Sequence, residues 1–258
     1  MASNPQSIEE LLQDIVRGFQ NLLGDNLVGV YLHGSLAMDS FHPLQSDVDF
    51  LVIVKEKPSN ETKQKVADFL IKLSDEAPPK GLEMSIVLQK YLDQFIYPTP
   101  FEFHFGKEHI SKYQAGTVNF NEVKTDKDLA AHFVVTRERG RALFGPDPKE
   151  TFPVVPPENY LDSLMEDIEW FKHDIAKTPI YGILNLCRVL AYAQDKLITS
   201  KVEGGRWALK NVDAKYHEII KRGLSAYESE EQINRPWDKK ELEEFADYMI
   251  KQITNHIQ

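Results

Sequence analysis

A single cysteine, Cys187, leaves no partner for an intramolecular disulfide and rules out a cysteine-based metal cluster in this 258-residue chain. It falls inside the apolar run ILNLCRVLAYA, where a buried thiol on a helix is expected. No apolar run reaches the roughly 20 residues that a bilayer-crossing helix needs, so no membrane partner is expected. The opening MASNPQSIEELLQDIV carries early acids and no long apolar core, unlike a secretory leader, and a cytoplasmic protein is the expectation. Positive charge is also scarce: 30 Lys and Arg stand against 40 Asp and Glu, a net charge of −10. That balance disfavours a grip on a polyanionic nucleic acid and favours a cationic partner, although an acidic surface alone only aids solubility. Neither repeats nor low-complexity tracts occur. What remains, 42% hydrophobic and 27% charged residues, suits a soluble globular protein of one large or two modest domains.

Periodicity divides the chain. Residues 7–23 place apolar side chains at helical spacing behind Ser7, with Glu10 three positions on as in a capping box. LVGVYLHGS reads as a strand with Val28, Val30 and Leu32 toward one face, ending at Gly34-Ser35. DVDFLVIV reads as a central strand, residues 61–75 as a helix, and LEMSIVLQ as a third strand. Residues 91–124 carry no clear period. A helix is expected from Asp126 to Leu143, introduced by Thr125 and Asp128 and closed by Gly145-Pro146. The four-proline segment DPKETFPVVPPENY then reads as a linker. Beyond it, five helical patterns and no convincing strand predict a bundle. The expected architecture is an α/β domain with a mixed sheet and flanking helices, residues 1–152, followed by an all-α helical domain, residues 153–258.

Chemistry concentrates in HGSLAMDSFHPLQSDVDFLVIV. Asp47 and Asp49 are two apart on the expected strand, so both carboxylates leave one face. Two such carboxylates repel unless a proton or cation lies between them, and magnesium prefers a few carboxylates together with phosphate oxygens. Gly34 removes a side chain where phosphate must approach the backbone, and Ser35 offers a hydroxyl and an amide. Each piece alone reads as a turn or a polar strand end; together, a dozen residues apart, they point to a magnesium–nucleoside triphosphate site. Glu83, opening the next strand, would join them if the strands are neighbours.

These residues resemble the nucleotidyltransferase superfamily, whose motif is a glycine-serine, an h-D-x-D-h strand and a later carboxylate. With GLEMSIV and NLCRVLAYAQDKLITSKVEGGRWAL, the chain is similar over nearly its whole length to the aminoglycoside adenylyltransferases of the streptomycin and spectinomycin kind. The resemblance implies Mg-dependent transfer of AMP from ATP to a hydroxyl of a small cationic acceptor, an aminoglycoside-type antibiotic. It also implies that Asp47, Asp49 and Glu83 form the magnesium-binding and catalytic set, with Glu83 as base. Arg188, Lys201 and Tyr227 are then expected at the nucleotide, beside Gly34 and Ser35. Cations contributed by a second domain would offset triphosphate charge and orient the leaving pyrophosphate. The chain departs from the family in FGKEH, where Glu108 lies near an expected tryptophan, and in KHDIAKTPIYG, which holds no tryptophan. A spectinomycin-like or unrelated small acceptor is then at least as well supported as streptomycin.

Other residues carry plainer expectations. His104 and His109 are five apart, unlike the i, i+4 pair of a helical zinc site, and read as structural or solvent-facing. Trp170, Trp207 and Trp237 read as packing residues, and the glutamates of 228–231 as a solvated connection. A monomer is expected. The rival readings are a nucleotidyltransferase acting on another small molecule or a protein, and a non-catalytic nucleotide-binding module.

Overall fold

The computed structural model describes residues 7–229 and 236–257; Glu230 and Glu231, placed by sequence in the solvated connection, lie outside them. The chain divides into two compact units, Met1–Val155 and Pro156–Gln258.

In the first unit, α1 (Ile8–Leu23) begins at the expected capping box: Glu10 N donates to Ser7 Oγ at 3.2 Å, and Ser7 N donates to Glu10 Oε2 at 3.0 Å. There follow β1 (Leu27–Leu32), α2 (Gly34–Ala37), β2 (Val48–Val54), α3 (Asn60–Ser74) and β3 (Leu82–Leu88). Next come α4 (Gln89–Asp93), β4 (Thr99–Phe101), β5 (Phe103–Phe105), a 3-10 turn over Lys107–His109 and α5 (Ile110–Gln114). β6 (Lys124–Asp126), α6 (Asp128–Arg139), β7 (Arg141–Phe144) and α7 (Pro148–Thr151) complete the unit. The main sheet has the order β5-β3-β2-β1-β7 and is mixed: β2 and β3 run parallel, joined through α3, while the other pairs are antiparallel. β4 and β6 form a separate two-stranded sheet.

Strand parity decides what each sheet face does. Phe50, Val52, Val54, Met84, Ile86, Phe103 and Phe105 join Leu11, Ile15 and Phe19 of α1 and Val66 and Leu70 of α3 in one apolar core. Phe19 meets Phe50 edge-on, with ring centroids 5.9 Å apart; truncating either ring would cost about 3–5 kcal/mol. The alternate residues, Asp49, Glu83, Ser85 and His104, belong to the opposite face. The apolar half of each strand thus fixes the register that presents its polar half.

The structure corrects several local expectations. The expected helix from Asp126 to Leu143 is helical only over Asp128–Arg139, and Arg141–Phe144 is a strand on the edge of β1. Gly140, extended at φ −78°, ψ 172°, ends the helix, and the open edge of β1 supplies the hydrogen bonds that RALF could not find in isolation. Thr125 does not introduce the helix but pairs with Pro100, and Asp126 Oδ1 accepts from Asp128 N at 2.9 Å instead. The strand containing Asp49 begins at Val48, so Asp47 immediately precedes it. Both faces of β1 are covered, since Tyr31 is as buried as Val30 and Leu32.

The second unit contains α8 (Pro157–Asp174), α9 (Pro179–Asp195), α10 (Lys201–Asn211), α11 (His217–Glu228) and α12 (Lys239–Ile257), with no strand among the described residues. α9 packs against the other four, which explains a segment apolar around its circumference, with Cys187 fully buried. α10 approaches α9 closely through Gly204, where a Cβ would stand 2.8 Å from Arg188 Cα. Trp170 packs less than expected, being 42% exposed and edge-on to Phe171, whereas Trp207 and Trp237 are half-buried. Among the described residues no helix is long and apolar enough to cross a membrane.

Candidate active site

The site grows from two backbone facts. Parallel pairing sets Asp49 of β2 directly beside Glu83 of β3, and Val48 N donates to Gly81 O at 3.1 Å, extending the alignment to the strand entrance beside Asp47. Facing side chains on adjacent strands are held about 5 Å apart at Cα. The carboxylates of Asp47, Asp49 and Glu83 consequently converge, each offering an oxygen within 4.8 Å of the others.

Gly34 and Ser35 close the arrangement from β1. His33 N donates to Asp49 O at 3.0 Å, tying the end of β1 to β2. Gly34 then adopts φ +65°, a left-handed conformation that a side chain resists, and a Cβ there would overlap the Asp49 carboxylate. The expected glycine-serine turn is the start of the one-turn helix α2. Ser35 Oγ is buried and has no hydrogen-bond partner. An orphaned buried hydroxyl beside three converging carboxylates fits a divalent cation carrying phosphate oxygens, because an occupant of that kind satisfies both.

Three residues unclaimed by sequence reasoning complete the electrostatics. His132 of α6 is paired with Asp128 one helical turn earlier, Nε2 to Oδ2 at 3.1 Å. Burial alone would lower its pKa, but Asp128, Glu83 and Asp49 outweigh burial and raise it to about 10, so the ring is a cation at neutral pH. His33 lies against it, with ring centroids 4.7 Å apart. Burial, reinforced by the His132 charge, holds His33 well below the usual histidine range, so this ring is neutral. Burial also raises the Glu83 carboxyl to about 7; Asp47, Asp128 and Glu108 add to the rise and the His132 cation opposes it. A carboxyl poised near neutrality can accept a proton from a substrate hydroxyl. The D-x-x-x-H spacing of Asp128 and His132 was the available signal, but i, i+4 pairs are common on exposed helices too.

The remaining expected residues belong to the second unit. Arg188 lies on α9, where Nε donates to Asn185 Oδ1 at 2.5 Å. Lys201 opens α10 behind a second capping box formed by Ser200 and Glu203, with Nζ 4.7 Å from the Tyr181 ring centroid. Gly204, one turn beyond Lys201, rests on Arg188, which puts these two cations on facing helices of one unit. Tyr227, near the end of α11, is buried at 5% exposure.

Comparison with known proteins agrees with this geometry. Residues 12–112 match the nucleotidyltransferase domain, and residues 150–252 match the aminoglycoside adenylyltransferase C-terminal domain. An aminoglycoside (3'') (9) adenylyltransferase of Escherichia coli is 28% identical over 251 residues, covering 94% of each chain. A spectinomycin 9-adenylyltransferase of Staphylococcus aureus is 28% identical over 219 residues, 82% of each, and one of Campylobacter jejuni is 24% identical over 259 residues, 97% of each. The fold matches that of a spectinomycin adenyltransferase from Enterococcus faecalis crystallised with ATP and spectinomycin, with a TM-score of 0.81 at 21% identity over 96% of this chain and all of that one. With the catalytic-domain and C-terminal-domain matches in sequence along one chain, and relatives aligned across both, this protein belongs to the aminoglycoside adenylyltransferases of the nucleotidyltransferase superfamily.

Proposed function

We propose that this enzyme transfers AMP from ATP to a hydroxyl of an aminoglycoside-type antibiotic, spectinomycin or streptomycin, releasing pyrophosphate, and that it acts as a cytoplasmic monomer. The observation that carries the chemistry is the convergence of Asp47, Asp49 and Glu83 on one sheet face beside Gly34 and Ser35. Asp47 and Asp49, with Glu83, are the residues that would hold magnesium, and the ion would neutralise charge on the phosphates. Glu83 takes the proton as the acceptor oxygen bonds to the α-phosphorus and the bond to pyrophosphate breaks. Ser35 and the open backbone at Gly34 receive the phosphates, while Arg188, Lys201 and Tyr227 contact the nucleotide from the helical domain.

A cationic acceptor is supported by the chain's net charge of −10 and by the carboxylates around Glu83. The substrate assignment rests on the relatives named above, and the lack of a tryptophan in KHDIAKTPIYG leaves a spectinomycin-like or unrelated small acceptor at least as well supported as streptomycin. The test is to incubate purified protein with Mg-ATP and each drug, then measure pyrophosphate release and the adenylyl mass increase on the drug. Turnover with spectinomycin is expected; none with any aminoglycoside would reject the substrate while leaving the fold untouched.

A further inference from the structure

His104, Glu108 and His109 lie outside the carboxylate set, and their five-residue histidine spacing gave no reason to group them. The fold groups them nonetheless. β5 ends at Phe105, and the chain folds back through Gly106 into the 3-10 turn over Lys107–His109. Gly106 has no Cβ to block the return of Glu108, whose carboxylate occupies the space a side chain there would need. As a result, the three side chains each offer a ligand atom within 4.8 Å of the others.

The contact between Glu108 and His109 has an unusual character. His109 Nδ1 lies 3.0 Å from Glu108 Oε1, yet this buried nitrogen makes no hydrogen bond. A separation near 3 Å without a hydrogen bond is what two ligands of one small cation show, since zinc bound at about 2.0–2.1 Å puts neighbouring donors little more than 3 Å apart. His104 has the outer hydrogen bond that a metal-ligating histidine needs. Its Nδ1 shares a 2.9 Å hydrogen bond with Ser85 Oγ, leaving Nε2 to coordinate, and Tyr113 OH donates to its backbone carbonyl.

We propose that His104, Glu108 and His109 form a second metal site, selective for a divalent transition ion of the zinc class and separate from the Asp47–Asp49–Glu83 set. Two imidazoles and one carboxylate match the donor preference of zinc and are poor partners for magnesium, which prefers oxygen ligands. Three protein ligands leave a coordination position open. His104 and His109 also line a cavity of about 360 Å³ walled by Phe101, Tyr113 and Phe120, large enough for a small ligand to reach such an ion.

The test uses full-length, tag-free, metal-free protein in millimolar magnesium, titrated with zinc chloride by equilibrium dialysis and elemental analysis, and with cobalt chloride by visible absorption. One zinc equivalent is expected despite the magnesium, with cobalt giving the d–d bands of a low-coordinate nitrogen and oxygen site. His109→Gln and Glu108→Gln should each lose that equivalent, whereas Asp47→Asn should keep it. Ser85→Ala should weaken it by roughly 10-fold through His104. The Glu108 side chain is 69% exposed, so Glu108→Gln tests the site without threatening the fold. No zinc bound in magnesium, zinc retained by His109→Gln or Glu108→Gln, or zinc lost in Asp47→Asn would each overturn the proposal.

Discussion

At the scale of single residues, the candidate active site is a cluster of carboxylates with the buried His132 beside it. Glu83 is raised to about 7 and His132 to about 10. Both bind more protons folded than unfolded, Glu83 between about 4.5 and 7 and His132 between about 6.5 and 10. The stability they contribute is therefore greatest at low pH and declines as pH rises through those windows. In EDTA, thermal midpoints should fall from pH 5 to pH 9, and Glu83→Gln should flatten the part between pH 5 and 7. Gly34 carries a different constraint. Gly34→Ala introduces a Cβ where the Asp49 carboxylate lies and forces a left-handed φ on alanine, at a cost of about 1–2 kcal/mol. Displacing Asp49 by an ångström should lower kcat by roughly 100-fold, measurable by pyrophosphate release, with far-ultraviolet circular dichroism unchanged. Asp47, Asp49 and Glu83 were legible because alternation along a strand is local. His33, His132 and Asp128 were not, because their roles depend on α6 crossing the sheet face, a contact between residues about 100 positions apart in the chain.

At the scale of elements, legibility followed the length of the pattern. α1, β1, β2, α3, β3 and the five long helices each carry a period over six residues or more, and all were readable. Between 91 and 124 the elements are three to five residues long, too short for a period to emerge. β7 was read as the end of a helix because RALF becomes a strand only beside the free edge of β1. The contact of α9 with α10 offers a direct test of packing. Gly204→Ala should drive the helices apart at Arg188 and destabilise the protein by about 1–3 kcal/mol in urea unfolding, because the obstruction is backbone. Should the proposed role of Arg188 hold, KM for ATP should rise in the same variant.

At the scale of the whole molecule, a nucleotidyltransferase domain is joined to an aminoglycoside adenylyltransferase C-terminal domain. The sequence motif identifies the reaction class, while the acceptor is read by residues that the motif does not contain. The structure places Glu108 beside His104 and His109 rather than isolated at the surface. The central claim is that Glu83 takes the acceptor's proton during adenylyl transfer, and it is tested most directly by comparing wild-type protein with Glu83→Gln in Mg-ATP and spectinomycin. Adenylylated drug from the wild type, a drop in kcat of roughly 100- to 10,000-fold in the variant and unchanged ATP binding in both are predicted. Equal turnover by the two proteins would contradict the account.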